Sequence, residues 1–386
     1  MIVVEHDAKE LLAVQGVPMP GGIMLRQVPK YDREGDEPAG PWLIKPQIPD
    51  AGPGNRPTYT TARNAREVAE AARQWLGNKY NGHTISAVRV ERKLIAAHRA
   101  YLSFECDPTD IGIRVSVGFG DAGDTASPVL PDTALESETT VPDPNAVLAC
   151  AARLADQLPE TIRDQVHAAA RTLIPLFFGY EAIVLEIDPL MVFEDGSWMV
   201  GNVEMQIDEN ALFRHPELIS LMDRRGDSYV DSRKRRELGL DFSVVDDKGN
   251  VGLLTNGTAL ALFLMEELRA RKLRPYNYID LRASRITEGS DCLKTAIDLI
   301  LAGSKVRTIL INLVSGASEI DAIAKAIGET LKQMRLDIPI VIRLAGNDPE
   351  IAKPHFDDID TDITLLSDLE AALELVERQA SLQASP

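Results

Sequence analysis

An α/β chain is expected, with a doubly wound parallel sheet in its C-terminal part, and three observations point there. Short apolar runs without polar alternation recur late in the chain: NVGLLTN, YIDLRA, VRTILINLV and PIVIRLAG. The first three are each followed by an amphipathic stretch, ALALFLMEELRA, DCLKTAIDLILAG and EIDAIAKAIGETLKQM, and a closing helix is predicted over 367–379. Strands covered by helices on both faces lose their polar alternation, so this is the pattern of a buried parallel sheet. Upstream of it, MDRRGDSYVDSRKRREL is dense in charge, lacks apolar periodicity and marks a change of grammar. The domains are therefore set at 1–240 and 241–386. Ligands of such sheets sit at the carboxyl ends of the strands, which draws attention to Asn256, the Ser315-Gly316 turn and Gly346-Asn347.

The first part reads element by element. A short helix over 8–14 is closed by Gly16 and Pro18, and a charged loop runs from Lys30 to Gly40. PWLIKPQI is a strand that ends in the loop PDAGPGNRP. Asn64 with Glu67 three residues on forms a capping box for a helix that buries Val68, Ala71, Trp75 and Leu76 and stops at Gly77. AVRVERKL is a strand, 99–117 is strand-like, and 118–145, rich in Gly, Asp, Ser, Thr and Pro, is expected to loop over the surface. Helices over 146–158 and 161–177 lead into a strand pair, VLEIDPLMVFEDGSWMVGNVEM.

Composition narrows the function. With 386 residues, 45% of them hydrophobic, the chain can bury a large core. A net charge of -18, from 41 Lys and Arg against 59 Asp and Glu, argues against nucleic acid or an anionic membrane as partner. Cys106, Cys150 and Cys292 are far apart, match no zinc spacing, and read as small buried apolar residues in a reducing compartment. No apolar run reaches the roughly 20 residues of a membrane span, and the start MIVVEHDAKELL has no basic-then-apolar leader. A cytoplasmic location is expected.

The strand pair carries the chemistry. Side chains two apart on a strand share a face, so Glu186 and Asp188 point the same way and repel. A divalent cation would remove that cost, and Mg²⁺ accepts one or two carboxylates with an amide oxygen, water and phosphate oxygens. Asn202 or Glu204 on the returning strand supplies the second ligand only if an odd-numbered loop, Asp195-Gly196-Ser197, joins the strands; that loop brings 188 level with 204 and 190 level with 202. A two-residue Asp-Gly turn puts Asn202 on the other face. The alternative is an edge hairpin with a solvated acidic face.

Glu186-Ile187-Asp188-Pro189-Leu190, then Asn202, then Asn210-Ala211-Leu212-Phe213-Arg214 resemble the β subunit of succinyl-CoA synthetase and its relatives, the nucleoside-diphosphate-forming carboxylate:CoA ligases such as malate-CoA ligase. VEHDAKELLAVQGVPMP, PWLIKPQI, GNVGLLTNGTALA and PIVIRLAGND resemble further family stretches, so the likeness runs nearly end to end. The resemblance implies an N-terminal ATP-grasp domain and a flavodoxin-like C-terminal domain. It implies that Lys45 contacts nucleotide phosphate, that Glu91 sits by the nucleotide, and that Gly52, Gly54 and Arg56 stand in the phosphate loop. It also implies that Asp188 and Asn202 hold Mg²⁺, that Glu186 faces a phosphohistidine, and that Asn256 binds the carboxylate substrate, while the Ser315-Gly316 turn, ahead of a helix N-terminus, is where a phosphate or carboxylate would be held. ATP or GTP and Mg²⁺ are the implied cofactors. An α-like partner is implied to carry the phosphohistidine and most of the CoA site, so none of the six histidines here needs to be catalytic.

Departures from the family pattern matter as much. The metal pair, Asn then Asp in the family, is Asp188 then Asn202 here, an exchange that keeps one carboxylate and one amide oxygen. Its glycine-rich phosphate loop has become Ala51-Gly52-Pro53-Gly54-Asn55-Arg56-Pro57-Thr58, in which two prolines remove donors and stiffen the backbone, and Arg56 replaces a lost Lys. A plain surface turn is the other reading of that loop. An acidic family residue is Arg99 here, beside the expected nucleotide. Ser315 and Ser318 are candidate donors ahead of a helix N-terminus, or simply its caps. The expected function is an ATP-dependent acid-thiol ligase subunit acting on a carboxylate other than succinate. The alternatives are a structural or regulatory subunit with a decayed nucleotide site, or a related ligase or transferase with an amine or carbamoyl acceptor.

Overall fold

The computed structural model describes residues 1–30, 40–49, 58–80, 83–126, 129, 135–281, 286, 290–315, 320–346 and 349–382. Two compact units divide at Met1–Tyr229 and Val230–Pro386, inside the charge-dense segment. Among the described residues no helix is long and apolar enough to cross a membrane.

Unit 1 holds two larger antiparallel sheets. In the first, Ile2–Val3, Val203–Ile207, Ala182–Val192, His98–Asp107, Gly112–Gly120 and Glu136–Thr140 lie side by side in that order, with Trp198–Val200 also paired to Ala182–Val192. Helices Pro144–Ala155 and Glu160–Gly179 bury Cys150, Leu154, Val166, Leu173 and Phe177 against Leu102, Phe104, Val115 and Leu185. The second sheet runs Gly22–Leu25, Ala87–Arg92, Trp42–Gln47, Thr60–Ala62, and helix Ala65–Trp75 packs Val68 and Ala72 on its Ile44, Val88 and Val90. The cap of that helix forms as expected, with Glu67 N–H donating to Asn64 Oδ1 at 2.9 Å; the Glu67 carboxylate returns to Arg63 N–H at 2.8 Å.

Unit 2 is a six-stranded sheet in the order Leu240–Val244, Asn277–Leu281, Val251–Thr255, Thr308–Ser315, Ile340–Gly346, Ile363–Leu366. All neighbours are parallel except the first pair. Counted from Val251–Thr255, the parallel strands run 2-1-3-4-5, the flavodoxin-like order. Helices Ser290–Leu301 and Ile320–Met334 cover one face, and Thr258–Ala270 and Leu369–Leu382 the other.

Several expectations need correction. The segment 118–145 is not only loop: Glu136–Thr140 extends the large sheet, because Thr139 and Thr140 pair with Arg114 and Ile113. The first helix begins at Glu5 rather than 8. Two short edge strands, Leu240–Val244 and Ile363–Leu366, escaped apolar-run reading because neither is buried throughout. Of the cysteines only Cys150 is buried; Cys106 is exposed on an outer strand face.

Candidate active site

The period-2 geometry of the small sheet of unit 1 builds the site. Ile44, Val88 and Val90 face its helix, so Lys45, Gln47, Arg89 and Glu91 share the opposite face, with Lys45 directly across from Arg89. Helix Glu5–Val14 lays Glu5, His6 and Lys9 on that face, and Gln47 Oε1 caps its second amide, accepting from His6 N–H at 2.8 Å. Between these elements lies a buried ionic cluster. Glu91, with no exposed surface, meets Lys45 at 2.6 Å through Oε1, and Lys9 at 2.8 Å and Arg89 at 2.6 Å through Oε2. Glu5 Oε1 bridges Lys45 at 2.7 Å and Lys9 at 3.0 Å. Both ammonium groups also donate to Gly201 O, Lys9 at 2.6 Å and Lys45 at 3.3 Å. The Lys45 ammonium stands 4.9 Å from the centre of the Tyr59 ring.

Proton affinities follow from this packing. Burial opposes ionisation of Glu91 and Glu5, but Lys45 and Lys9 outweigh it, and both carboxyls lie below their usual range. Burial likewise opposes the Lys45 charge, yet Glu5 and Glu91 leave that ammonium above its ordinary value. Lys9 goes the other way: burial prevails over the same two carboxylates and brings it down to about 8. Burial also lowers His6 to about 4, helped by Arg89 and Arg225 against Glu10. Its Nδ1 accepts from Arg89 Nη1 at 2.7 Å and its Nε2 meets Glu10 at 2.9 Å, which assigns the neutral Nε2–H tautomer.

The strand pair arrives beside this cluster. Val192 pairs with Trp198, and Phe193 N–H reaches Ser197 O at 2.9 Å around Gly196, so the loop is odd-numbered. The register differs from expectation by one pair. Glu186 lies opposite Glu204 and Ile187 opposite Val203, so Asp188 meets Asn202 directly, its N–H 3.3 Å from Asn202 O. Pro189 has no N–H for the ladder, and pairing with His98–Asp107 slips between Ile187 and Leu190, as proline inside a strand requires. Gly201 closes the same spot, since a Cβ there would stand 2.8 Å from Pro189 O.

Asp188 and Asn202 do share a side, because both reach one loop: Asp188 Oδ1 accepts from Val129 N–H at 2.6 Å, and Asn202 Nδ2 donates to Thr125 O at 3.1 Å. Asn202 Nδ2 also donates to Asp188 O at 2.9 Å, which fixes the amide with Oδ1 turned to the Lys45 ammonium, its hydrogen-bond donor. A divalent ion at that oxygen would meet the Lys45 ammonium, which already donates to it and repels a second cation. As arranged, then, the donor set does not fit a metal ion bridging Asp188 and Asn202.

Glu186, also buried, accepts from the Tyr101 hydroxyl at 2.9 Å, and burial followed by the Glu186 charge raises the Tyr101 pKa. Arg99 is not part of the ionic cluster: its Nε donates to Asp121 O at 2.9 Å, and its guanidinium packs so closely on Gly123 that a Cβ there would lie 2.4 Å from Nε. Gly52, Gly54, Arg56 and Gly316 lie outside the described residues. In unit 2, Asn256 sits where the strand order reverses, and its side chain brackets Val314, donating to Val314 O at 2.8 Å and accepting from Val314 N–H at 2.9 Å. Ser315 is buried, opposite Gly346, whose close approach to Ser315 O leaves no room for a Cβ. Lys45, Glu91 and Asn202 are thus brought together. Glu5, Lys9, Arg89 and His6 were not anticipated as site residues; the available signals were the i, i+4 spacing of Glu5 and Lys9 and the family likeness of the stretch VEHDAKELLAVQGVPMP.

Known proteins agree with this architecture. The CoA-ligase family profile matches residues 254–375. The succinate–CoA ligase [ADP-forming] β subunit of Dichelobacter nodosus is 27% identical over 377 residues, covering 95% of this chain and 96% of its own. That of Chloroflexus aurantiacus is 28% identical over 354 residues, covering 90% and 91%. The solved structure of ATP citrate lyase from Methanothrix soehngenii, in complex with citrate and coenzyme A, superposes with a TM-score of 0.70 over 98% of this chain and 99% of that one; at 12% identity it speaks for the fold alone. The protein thus has the architecture of an ATP-grasp domain followed by a CoA-ligase domain. More particularly, it is similar over most of its length to the β subunits of ADP-forming succinate–CoA ligase.

Proposed function

We propose that this chain is the β-type subunit of an ADP-forming carboxylate:CoA ligase, an acid-thiol ligase that binds ATP or GTP. It works with an α-type partner that holds CoA and delivers a phosphohistidine, by way of an acyl phosphate. The carrying observation is the convergence of Lys45 and Glu91, from two neighbouring strands, and Asn202, from the link ahead of Val203–Ile207, on one buried ionic cluster. Phosphoryl transfer demands little covalent chemistry from a protein and much positioned positive charge. Lys45, aligned by Glu5 and Glu91, supplies that charge, and Lys9 keeps Glu91 aligned from its other oxygen. Glu186, oriented by the Tyr101 hydroxyl, is the group assigned to meet the partner's histidine. Asn256 retains one N–H and one lone pair beyond its Val314 bracket, which suits a small carboxylate at the switch point. No step is assigned to a metal held by Asp188 and Asn202. The sequence Asp280-Leu281-Arg282-Ala283-Ser284-Arg285, where the family has glycines, supports an acid other than succinate. The three free cysteines suit a cytoplasmic enzyme.

The chain purified with its partner is to be assayed for ADP release that depends on both CoA and a carboxylate. Turnover with any member of a broad acid panel supports the ligase, and silence across the panel counts against it. One observation favours a second reading, a non-catalytic subunit with a decayed nucleotide site: Lys45 has no exposed surface and its charge is already balanced by Glu5 and Glu91. Isothermal titration with Mg-ATP separates the two, since micromolar binding favours the ligase and the absence of heat favours decay.

A further inference from the structure

The amide oxygen of Asn202 already faces a cation. Asn202 Oδ1 accepts from the Lys45 ammonium, and the amide cannot turn away without losing the bonds from Nδ2 to Thr125 O at 3.1 Å and Asp188 O at 2.9 Å. Across the pair, the Asp188 carboxylate accepts from Val129 N–H at 2.6 Å. Lys45 is held to this place by Glu5 at 2.7 Å, Glu91 at 2.6 Å and Gly201 O at 3.3 Å, contacts that share no atom with Asn202 and keep the ammonium in position independently of it. Magnesium needs several hard oxygens with no competing donor, whereas an ammonium needs two or three acceptors at hydrogen-bond distance, and this pocket offers the second set.

We propose that the Lys45 ammonium is the resident cation of the Asp188–Asn202 pair, so that this chain binds polyphosphate without a protein-held metal bridging that pair. Any magnesium that enters comes and goes as the nucleotide's own counterion. The inference rests on the nucleotide reading above. It assigns Asn202 a specific part, since a neutral amide tolerates the ammonium as sole cation where a carboxylate would recruit a metal as well.

The test is isothermal titration of the full chain with ADP and, separately, with inorganic tripolyphosphate, each in excess magnesium chloride and in EDTA. The expected result is affinity that differs by less than about threefold between the two buffers. A loss of about tenfold or more in EDTA, with ADP still bound in magnesium, overturns the proposal and leaves the nucleotide reading standing. Absence of binding in either buffer, by a chain whose circular dichroism is native, overturns both. Asn202→Asp provides the second arm: it is expected to make ADP binding about tenfold magnesium-dependent and to bind Mn²⁺ detectably by electron paramagnetic resonance. An N202D chain as indifferent to metal as the parent overturns the assignment to Asn202.

Discussion

Buried polar groups are used in opposite ways by the two units. In unit 1 they are charged and many-partnered: Lys9, Lys45 and Arg89 surround Glu5 and Glu91, three cations about two carboxylates. In unit 2 they are neutral and tie backbone together. Asn277 donates to Leu253 O at 2.7 Å and accepts from Leu253 N–H at 3.1 Å, replacing ladder bonds between two strands, and Asn256 does the same for Val314. Neutral amides complete a sheet at little desolvation cost, while a charged cluster with one cation in excess is costly as structure and sensible as a place for phosphate.

Four measurements would break or sharpen that contrast. The largest effect is expected for Glu91→Ala, which leaves three buried cations with the single carboxylate of Glu5 and should destabilise unit 1 by about 3–5 kcal/mol in urea unfolding; a change below about 1 kcal/mol would mean the cluster is solvated after all. Next comes acid. His6, folded at about 4 and unfolded at its ordinary 6.5, takes up its proton first in the unfolded chain, so stability present above pH 6.5 is lost as pH falls toward 4. That loss is up to roughly 3 kcal/mol. Glu5 and Glu91, lowered in the fold, extend the loss below 4.5, and Asp7, raised by burial, offsets part of it. Hydrogen exchange across this range should show unit 1 opening while unit 2 holds. Asn277→Ala leaves the Leu253 N–H and carbonyl without their side-chain partner and is expected to cost unit 2 about 2 kcal/mol, with no dependence on pH between 4 and 6.5. Asn64→Ala, which removes one helix cap outside the cluster, should cost only about 1 kcal/mol and shift the thermal midpoint by a few degrees.

Legibility in the sequence followed the same division. Four of the five parallel strands of unit 2 and their helices could be read because each of those strands is a contiguous apolar run, whereas the half-buried Ile363–Leu366 could not. Leu240–Val244 was not legible, since an edge strand carrying Asp241 and Ser243 lacks that run. In unit 1 Lys45, Glu91, Asp188 and Asn202 were legible through the family resemblance, and the shared face of Asp188 and Asn202 follows from strand parity. The exact register was not, because it depends on where Pro189 interrupts the ladder. Lys9, Arg89 and His6 escaped notice for a different reason: the Lys9 ammonium meets a carbonyl 192 residues away, and no local pattern encodes such a meeting. Arg99, placed beside the nucleotide by the resemblance, donates to the backbone at Asp121.

The opening helix is also joined to the far end of its unit. Tyr229, the last residue of unit 1, donates through its hydroxyl to Asp7 at 2.7 Å, and Arg225 meets the same carboxylate at 3.0 Å. On the ribosome, Lys9 and Lys45 emerge long before Gly201, Asn202 and Tyr229 do. The ionic cluster is therefore assembled from both ends of the unit's sequence, since without Gly201 and Asn202 the two lysines lack those acceptors, and without Arg225 and Tyr229 the Asp7 carboxylate lacks those partners.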